Sequence, residues 1–154
     1  TGISNGIPNE QVIPDDPDLL IADQALEDND FPAAITAFEK ILARKPGDPE
    51  ATQGLANAKL LLRTSLSDAA TAQAAVLANP EDAKAQALAA DFEIMSGEAE
   101  AALDRLIKFI STNPGGQGAQ RDIARTHLLE LFQNFAPTEP ILIAARSALS
   151  KALF

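Results

Sequence analysis

Few side chains in this chain could carry out covalent chemistry, and they stand in no recognisable catalytic pattern. His127 is the only histidine, and the sequence contains neither cysteine nor tyrosine. A Cys/His pair, a histidine-rich zinc site and most general-base arrangements built on imidazole are therefore excluded. Ser111, Asp122 and His127 could in principle form a hydrolase triad, but no nucleophile elbow supports one. We predict a structural role for His127, no catalytic residues and no enzymatic activity.

The glycine cluster and the paired acids have structural explanations as well. Gly115, Gly116 and Gly118 lack the Gly-Lys-Ser/Thr ending and the preceding strand of a phosphate-binding loop, so they predict a hinge. The acidic pair Glu81-Asp82 falls at a predicted helix start, where carboxylates interact favourably with the helix dipole. The sequence therefore predicts no metal ion and no other cofactor.

Negative charge is concentrated at the start of the chain. Residues 1–39 hold nine acids and neither Lys nor Arg, whereas acids and bases nearly balance in the remainder. An acidic segment repels phosphate backbones, so nucleic-acid binding is disfavoured and a solvated linker is favoured. No apolar run approaches the roughly 20 residues that a membrane span requires. We therefore expect a cytoplasmic protein with neither a nucleic-acid nor a membrane partner.

Apolar residues recur at helical spacing from Pro17 onward, and the composition favours helix formers. A first helix is predicted from Pro17 to the break at Asp28, and a second from near Pro32 to Lys45. Residues 1–16 show no such period and are predicted to be a flexible acidic linker. The predicted fold class is therefore all-α.

Three prolines set the length of a repeat. Pro46, Pro80 and Pro114 stand 34 residues apart, and each closes a stretch that predicts two helices. A period of about 34 residues is that of the tetratricopeptide repeat (TPR), a helical hairpin that stacks into arrays with extended binding surfaces. We expect three TPR-like hairpins followed by a capping helical hairpin, at residues 17–46, 47–80, 81–114 and 115–154.

The first hairpin fits the TPR template better than the second. Ala22 and Ala34 occupy positions where two helices cross closely, and Phe38 occupies the aromatic position. In the second hairpin, Arg63–Ser67 predicts a longer turn, and residues 69–78 are nearly all alanine. An alanine-rich helix buries little side-chain area, so we expect it to be narrow and weakly anchored. Such a helix either lets its neighbours pack or leaves a peptide-binding recess.

The period fails after Pro114, yet two further amphipathic helices are predicted. One includes Leu128 and Phe132, and the other runs from Ile141 to Phe154. Repeat arrays need a terminal unit that covers the last hairpin, and this pair is the candidate. We expect Phe154 to dock against the array, because an exposed terminal aromatic residue would be unusual.

Several segments resemble a known family. They read NPEDAKAQALAADFEIMSGEAEAALDRLIKFI at 79–110, LLELFQNFAPTEP at 128–140 and ARSALSKALF at 145–154. These segments are similar to the C-terminal TPR region of the chaperedoxin (CnoX/YbbN) family, bacterial thioredoxin-fold co-chaperones. The opening helices, ADQALEDNDFPAAITAFEKILARKPGDPEA at 22–51, resemble the actinobacterial members.

The resemblance implies a protein-binding module of a thioredoxin-like co-chaperone. Its implied partners are unfolded clients and the bacterial Hsp70 or chaperonin systems, and its implied roles are client holding and redox protection. The thioredoxin domain would precede residue 1. A second hypothesis is a structural TPR domain that mediates self-association or complex assembly without chaperone activity, and the sequence leaves the oligomeric state open.

The first helices of successive TPR hairpins form the inner surface of an array, so the template predicts which residues line it. The predicted protein-binding groove combines apolar and polar side chains: Leu19, Asp23, Leu26, Gln53, Asn57, Leu60, Ala87, Asp91 and Ile94. TPRs that clamp a partner's C-terminal carboxylates carry a Lys-x-x-x-Asn pair where Leu19 and Asp23 stand here. We predict no clamp for acidic C-terminal motifs, because Asp23 would repel them.

Overall fold

The computed structural model describes residues 16–112 and 118–154, which form eight α-helices and no strand. In chain order these are α1 (Pro17–Glu27), α2 (Phe31–Arg44), α3 (Pro49–Ser65), α4 (Ala69–Ala78), α5 (Ala83–Met95), α6 (Ala99–Thr112), α7 (Gly118–Phe132) and α8 (Pro140–Leu153). The predicted all-α class is confirmed. None of the helices in the described ranges combines the length and the apolar character that crossing a bilayer requires.

Two sequence predictions fall on residues that the structure does not describe. The linker prediction for residues 1–16 lies outside the described ranges except at Asp16, and the hinge prediction does so at Gly115 and Gly116. Asp16 belongs with the first helix. Its carboxylate accepts a hydrogen bond from the Asp18 amide, and it forms an ion pair with Arg44 at the end of α2.

Aspartates begin the first five helices. Asp16, Asp30, Asp48, Asp68 and Asp82 precede α1 to α5, and each carboxylate accepts a hydrogen bond from a backbone amide of the first turn. These bonds satisfy amides that the helix itself leaves unpaired. The capping role predicted for the acidic pair before α5 is therefore confirmed at Asp82.

Residues in the left-handed conformation end the first helix of the first and third hairpins. Asn29 has a φ of 59° and Gly97 a φ of 81°. Arg63 stands 34 residues after Asn29, at the corresponding position of the second hairpin. There the helix does not end, and α3 continues to Ser65. The predicted turn at Arg63–Ser67 is therefore wrong over its first half. No residue there favours the left-handed conformation, so the chain stays helical.

The core consists of two main clusters, and α3 contributes side chains to both of them. The first joins α1, α2 and α3 around Phe38, and the larger second joins α5 to α8 with Leu60 of α3. A Cβ atom at Gly54 would lie 2.3 Å from Cε1 of Phe38, so only glycine permits this approach. Ala22 and Ala34 are buried, as the template predicts for a close helix crossing.

Helix α4 is anchored weakly, as its composition predicts. Ala72 and Val76 are its buried residues, and Val76 packs with Ala85 and Ala89 of α5. The side chain of Leu77 on the same helix is exposed. This small buried area gives α4 only a minor share of the apolar stabilisation of the fold.

The prediction that Phe154 docks against the array is wrong, because this residue is fully exposed. The core stripe of α8 consists of Leu142, Ala145 and Leu149, and Leu153 continues it at the last turn. Phe154 follows Leu153 directly, and neighbouring residues of a helix point about 100° apart. The chain therefore turns this aromatic ring away from the core.

Candidate functional site

A recess of about 590 Å³ opens where the first helices of the second, third and closing hairpins meet. Its apolar part consists of Leu66 after α3, Ala87 and Leu88 of α5, and Ile123 of α7. A recess of this size with a few charged groups is typical of sites that take up a ligand or a partner's side chains.

A buried carboxylate joins the helices that form the recess. Arg63 donates hydrogen bonds from Nε to Oδ2 of Asp91, at 2.7 Å, and from Nη2 to Oδ1, at 3.0 Å. Nε2 of His127 lies 2.7 Å from Oδ1 of the same carboxylate. Nη1 of Arg63 also lies 3.7 Å from Oε2 of Glu130. One aspartate of α5 thus holds α3 and α7 in place.

The ionised form of Asp91 is favoured despite its burial. Burial alone raises the pKa of this carboxyl, but the hydrogen bonds from His127 and Arg63 outweigh it, and the pKa of Asp91 lies below its ordinary value. An ionised carboxylate can only accept hydrogen bonds, which assigns the proton of His127 to Nε2. The Asp91 side chain is 1% exposed and that of Arg63 is 28% exposed, so the pair lies in the recess wall.

Charged side chains also surround the mouth of the recess. Lys84 of α5 and Asp122 of α7 are exposed and form no ion pair within the described ranges. Glu130 is exposed as well, and its contact with Arg63 is long. Lys84 and Asp122 are therefore free to pair with polar or charged groups of a partner.

Local sequence explains how the recess is assembled. On α5, Lys84, Leu88 and Asp91 are spaced by four and three residues, which places them on one face of the helix. The longer α3 carries Arg63 to this face. Gln120 fixes α7 against the start of α5, because its Oε1 accepts a hydrogen bond from the Ala83 amide at 2.7 Å.

The residues of the predicted groove are distributed between surface and core. Ala87 and Asp91 lie in the recess wall, but Asp91 is fully engaged with Arg63 and His127. Leu60 is buried in the second core cluster, where it packs with residues of the later helices, and its contact with a partner stays a prediction.

The other predicted groove residues are more accessible. Asp23 and Asn57 are exposed, whereas Leu19, Leu26, Gln53 and Ile94 are half-buried. Leu19 and Leu26 pack against the first core cluster, and Ile94 packs against the second. Partner binding by these residues stays a prediction.

Template reasoning missed the α7 side of the recess. On α7, spacings of four and three residues separate Ile123, His127 and Glu130, as on α5. This repeated spacing is the sequence signal that could have identified them. The groove prediction covered only the first helices of the three full repeats, the last of which ends at Pro114. Including the first helix of the closing hairpin, α7, would have added these residues.

The unsupported triad of Ser111, Asp122 and His127 is not assembled. The Ser111 hydroxyl donates to the Lys108 carbonyl oxygen on α6, and the His127 ring contacts Asp91. His127 therefore has the structural role that the sequence predicts, as a bond between α7 and α5.

Comparison with known proteins identifies the repeat. Residues 62–154 match a family model described as tetratricopeptide repeat. Uncharacterized proteins of Mycobacterium tuberculosis and Mycobacterium bovis are each 35% identical to this chain over 140 residues. The match covers 90% of this chain but 44% of each relative, so the chain spans less than half the length of the curated relatives it matches. No solved structure shows significant similarity.

Proposed function

Since this chain belongs to the tetratricopeptide repeat family, a protein-interaction fold, we propose that it is the polypeptide-binding module of a thioredoxin-like co-chaperone. The recess between α3, α5 and α7 is the observation that carries this proposal. The partners are unfolded clients and, for the longer protein, the bacterial Hsp70 or chaperonin systems in the cytoplasm. The module itself performs no catalytic step.

The chemistry of the recess suits an unfolded polypeptide. Such a chain presents isolated apolar side chains between polar ones, and the recess combines apolar and charged side chains in its lining. Leu66 and Leu88 can contact an apolar side chain, while Lys84 and Asp122 can pair with charges of either sign beside it. This combination favours partners defined by apolar side chains over partners defined by one sequence.

The co-chaperone part of the proposal rests on the resemblance of residues 79–110, 128–140 and 145–154 to the chaperedoxin TPR region. The mycobacterial relatives belong to the bacterial group that the opening helices resemble. More than half of each relative lies outside the match, which leaves room for a further domain in those proteins.

A matched pair of leucine substitutions tests the proposal. Leu66 at the recess and Leu77 on α4 are 79% and 72% exposed, so aspartate at either position should leave the fold intact. Heat-denatured citrate synthase serves as the unfolded client. The parent chain should bind it and lower the light scattering that its aggregation causes. Leu66→Asp should raise the dissociation constant for the labelled unfolded client at least about tenfold, whereas Leu77→Asp should not change it.

One other result would contradict the proposal, and another would favour the alternative function. Equal effects of both substitutions would contradict binding in the recess. A chain that self-associates and leaves client aggregation unchanged would instead favour the alternative function, a structural TPR domain for complex assembly.

A further inference from the structure

The first helix of the described array presents an apolar and acidic outer face. Leu20 and Ile21 are exposed large apolar residues of α1, and this helix contains acids but no base. Asp23 and Glu27 are exposed and form no ion pair within residues 16–112 and 118–154. Terminal units of repeat arrays normally turn a polar face outward, so exposed apolar residues here indicate a surface that is covered in an assembly.

The last helix presents an apolar and basic outer face. Helix α8 contains Arg146 and Lys151 and no acid. A recess of about 460 Å³ lies between α7 and α8 and is lined in part by Leu129 and Phe132 of α7 and by Arg146 of α8. This face therefore matches α1 in apolar character and opposes it in charge.

Helix α7 adds to the basic character of this end. Arg125 is exposed four residues before Leu129, so the two share a face of the helix. The acids of α7, Asp122 and Glu130, line the other recess, between α3, α5 and α7. Glu139 precedes α8, and its carboxylate accepts a hydrogen bond from the Ala136 amide.

We propose that copies of this chain associate head to tail, with α1 of one copy packed in the recess between α7 and α8 of the next. Leu20 and Ile21 cover the apolar lining, and the acids of α1 lie beside the cations of α7 and α8. A second copy is the occupant because one molecule carries both halves of the complementary contact. Such a contact joins two different surfaces, so it propagates into open chains or closes into rings.

Sedimentation velocity on the full chain, from micromolar to millimolar concentration, tests this assembly. The average mass should rise beyond that of a dimer. Leu129→Asp in the recess should raise the dissociation constant of self-association at least about tenfold, and Leu77→Asp, an exposed apolar site away from both ends, should leave it unchanged. A monomer at every concentration, or an oligomer insensitive to Leu129→Asp, would overturn the proposal.

Charge reversal distinguishes this contact from a symmetric dimer. Asp23→Lys with Glu27→Lys reverses α1, and Arg125→Glu with Arg146→Glu reverses the other end. Each double variant alone should remain monomeric, whereas a mixture of the two should assemble again because complementary ends then meet. An α1 variant that still self-associates would show that α8 pairs with itself or with another surface, and would sink the head-to-tail contact. Circular dichroism should show that each variant is folded.

The assembly and the client site use separate surfaces, so their tests fail separately. Leu66→Asp should weaken client binding at least about tenfold without changing the sedimentation profile. Leu129→Asp should weaken self-association without changing client binding. A single substitution that removes both properties would contradict the separation of the two surfaces.

Discussion

Substitution of Asp91 by asparagine should lower the free energy of unfolding more than any other change of one polar atom in the described residues. Asparagine keeps the volume but removes the charge that Arg63 and His127 share. Removing one partner of a buried ion pair costs about 3–5 kcal/mol. Arg63 is 28% exposed and can regain some hydration, so the lower end of the range, about 3 kcal/mol, is expected.

Thermal and urea unfolding followed by circular dichroism measure this loss. For a domain of this size, about 3 kcal/mol corresponds to a fall in melting temperature of roughly 6–12 °C. Asp104→Asn on α6 is the control, because Asp104 is exposed and forms no ion pair within the described part of the chain. A surface change of this kind should alter stability by no more than about 0.5 kcal/mol.

The pH dependence gives an independent check on the same cause. The pKa of Asp91 in the folded state lies below its ordinary value, so its contribution is complete above the unfolded-state pKa of about 4. That contribution disappears as the pH falls through the lower folded-state pKa. The gap in stability between the parent chain and Asp91→Asn should therefore be constant at neutral pH and shrink below about pH 4. A gap below about 1 kcal/mol, or one that persists unchanged in acid, would refute the reasoning.

Two further predictions follow from single contacts, and a third follows from Asp23 at the clamp position. Gly54→Ala places a Cβ atom 2.3 Å from the Phe38 ring, so urea unfolding should show a loss of about 1–2 kcal/mol, whereas Gly118→Ala, with open space around it, should not destabilise. Gln120→Ala leaves the Ala83 amide without its partner and should cost about 1 kcal/mol in the same assay; no change would show that water replaces the bond. A peptide ending in EEVD should not bind in the low micromolar range by fluorescence anisotropy, and tight binding would contradict the absence of a carboxylate clamp.

The fold was largely predictable because helical period and capping chemistry are local properties. Asp30 and Asp82 begin their helices as their residue types predict, and the small residues at Ala22 and Ala34 mark close helix crossings. The length of α3 was not predictable from the repeat. Its extension depends on the absence of a left-handed residue at Arg63 and on the distant partner Asp91.

The site was less predictable because it joins helices that are far apart in the sequence. Asp91 lies in the recess wall, but its pairing with Arg63 and His127 depends on tertiary packing that its spacing in the sequence does not reveal. The prediction that Phe154 docks against the array failed for another reason. Its apolar type predicted burial, but its place one residue beyond the core stripe of α8 decides its exposure.

The central claim is that the recess between α3, α5 and α7 receives unfolded polypeptide. Methyl and amide NMR spectra of the labelled chain, recorded as reduced and carboxymethylated lactalbumin is added, test it most directly. Resonances of Leu66, Leu88 and Ile123 should shift or broaden first, and those of Leu77 should not. Perturbation confined to α2, α4 and α6, or none at concentrations that suppress client aggregation, would contradict the claim.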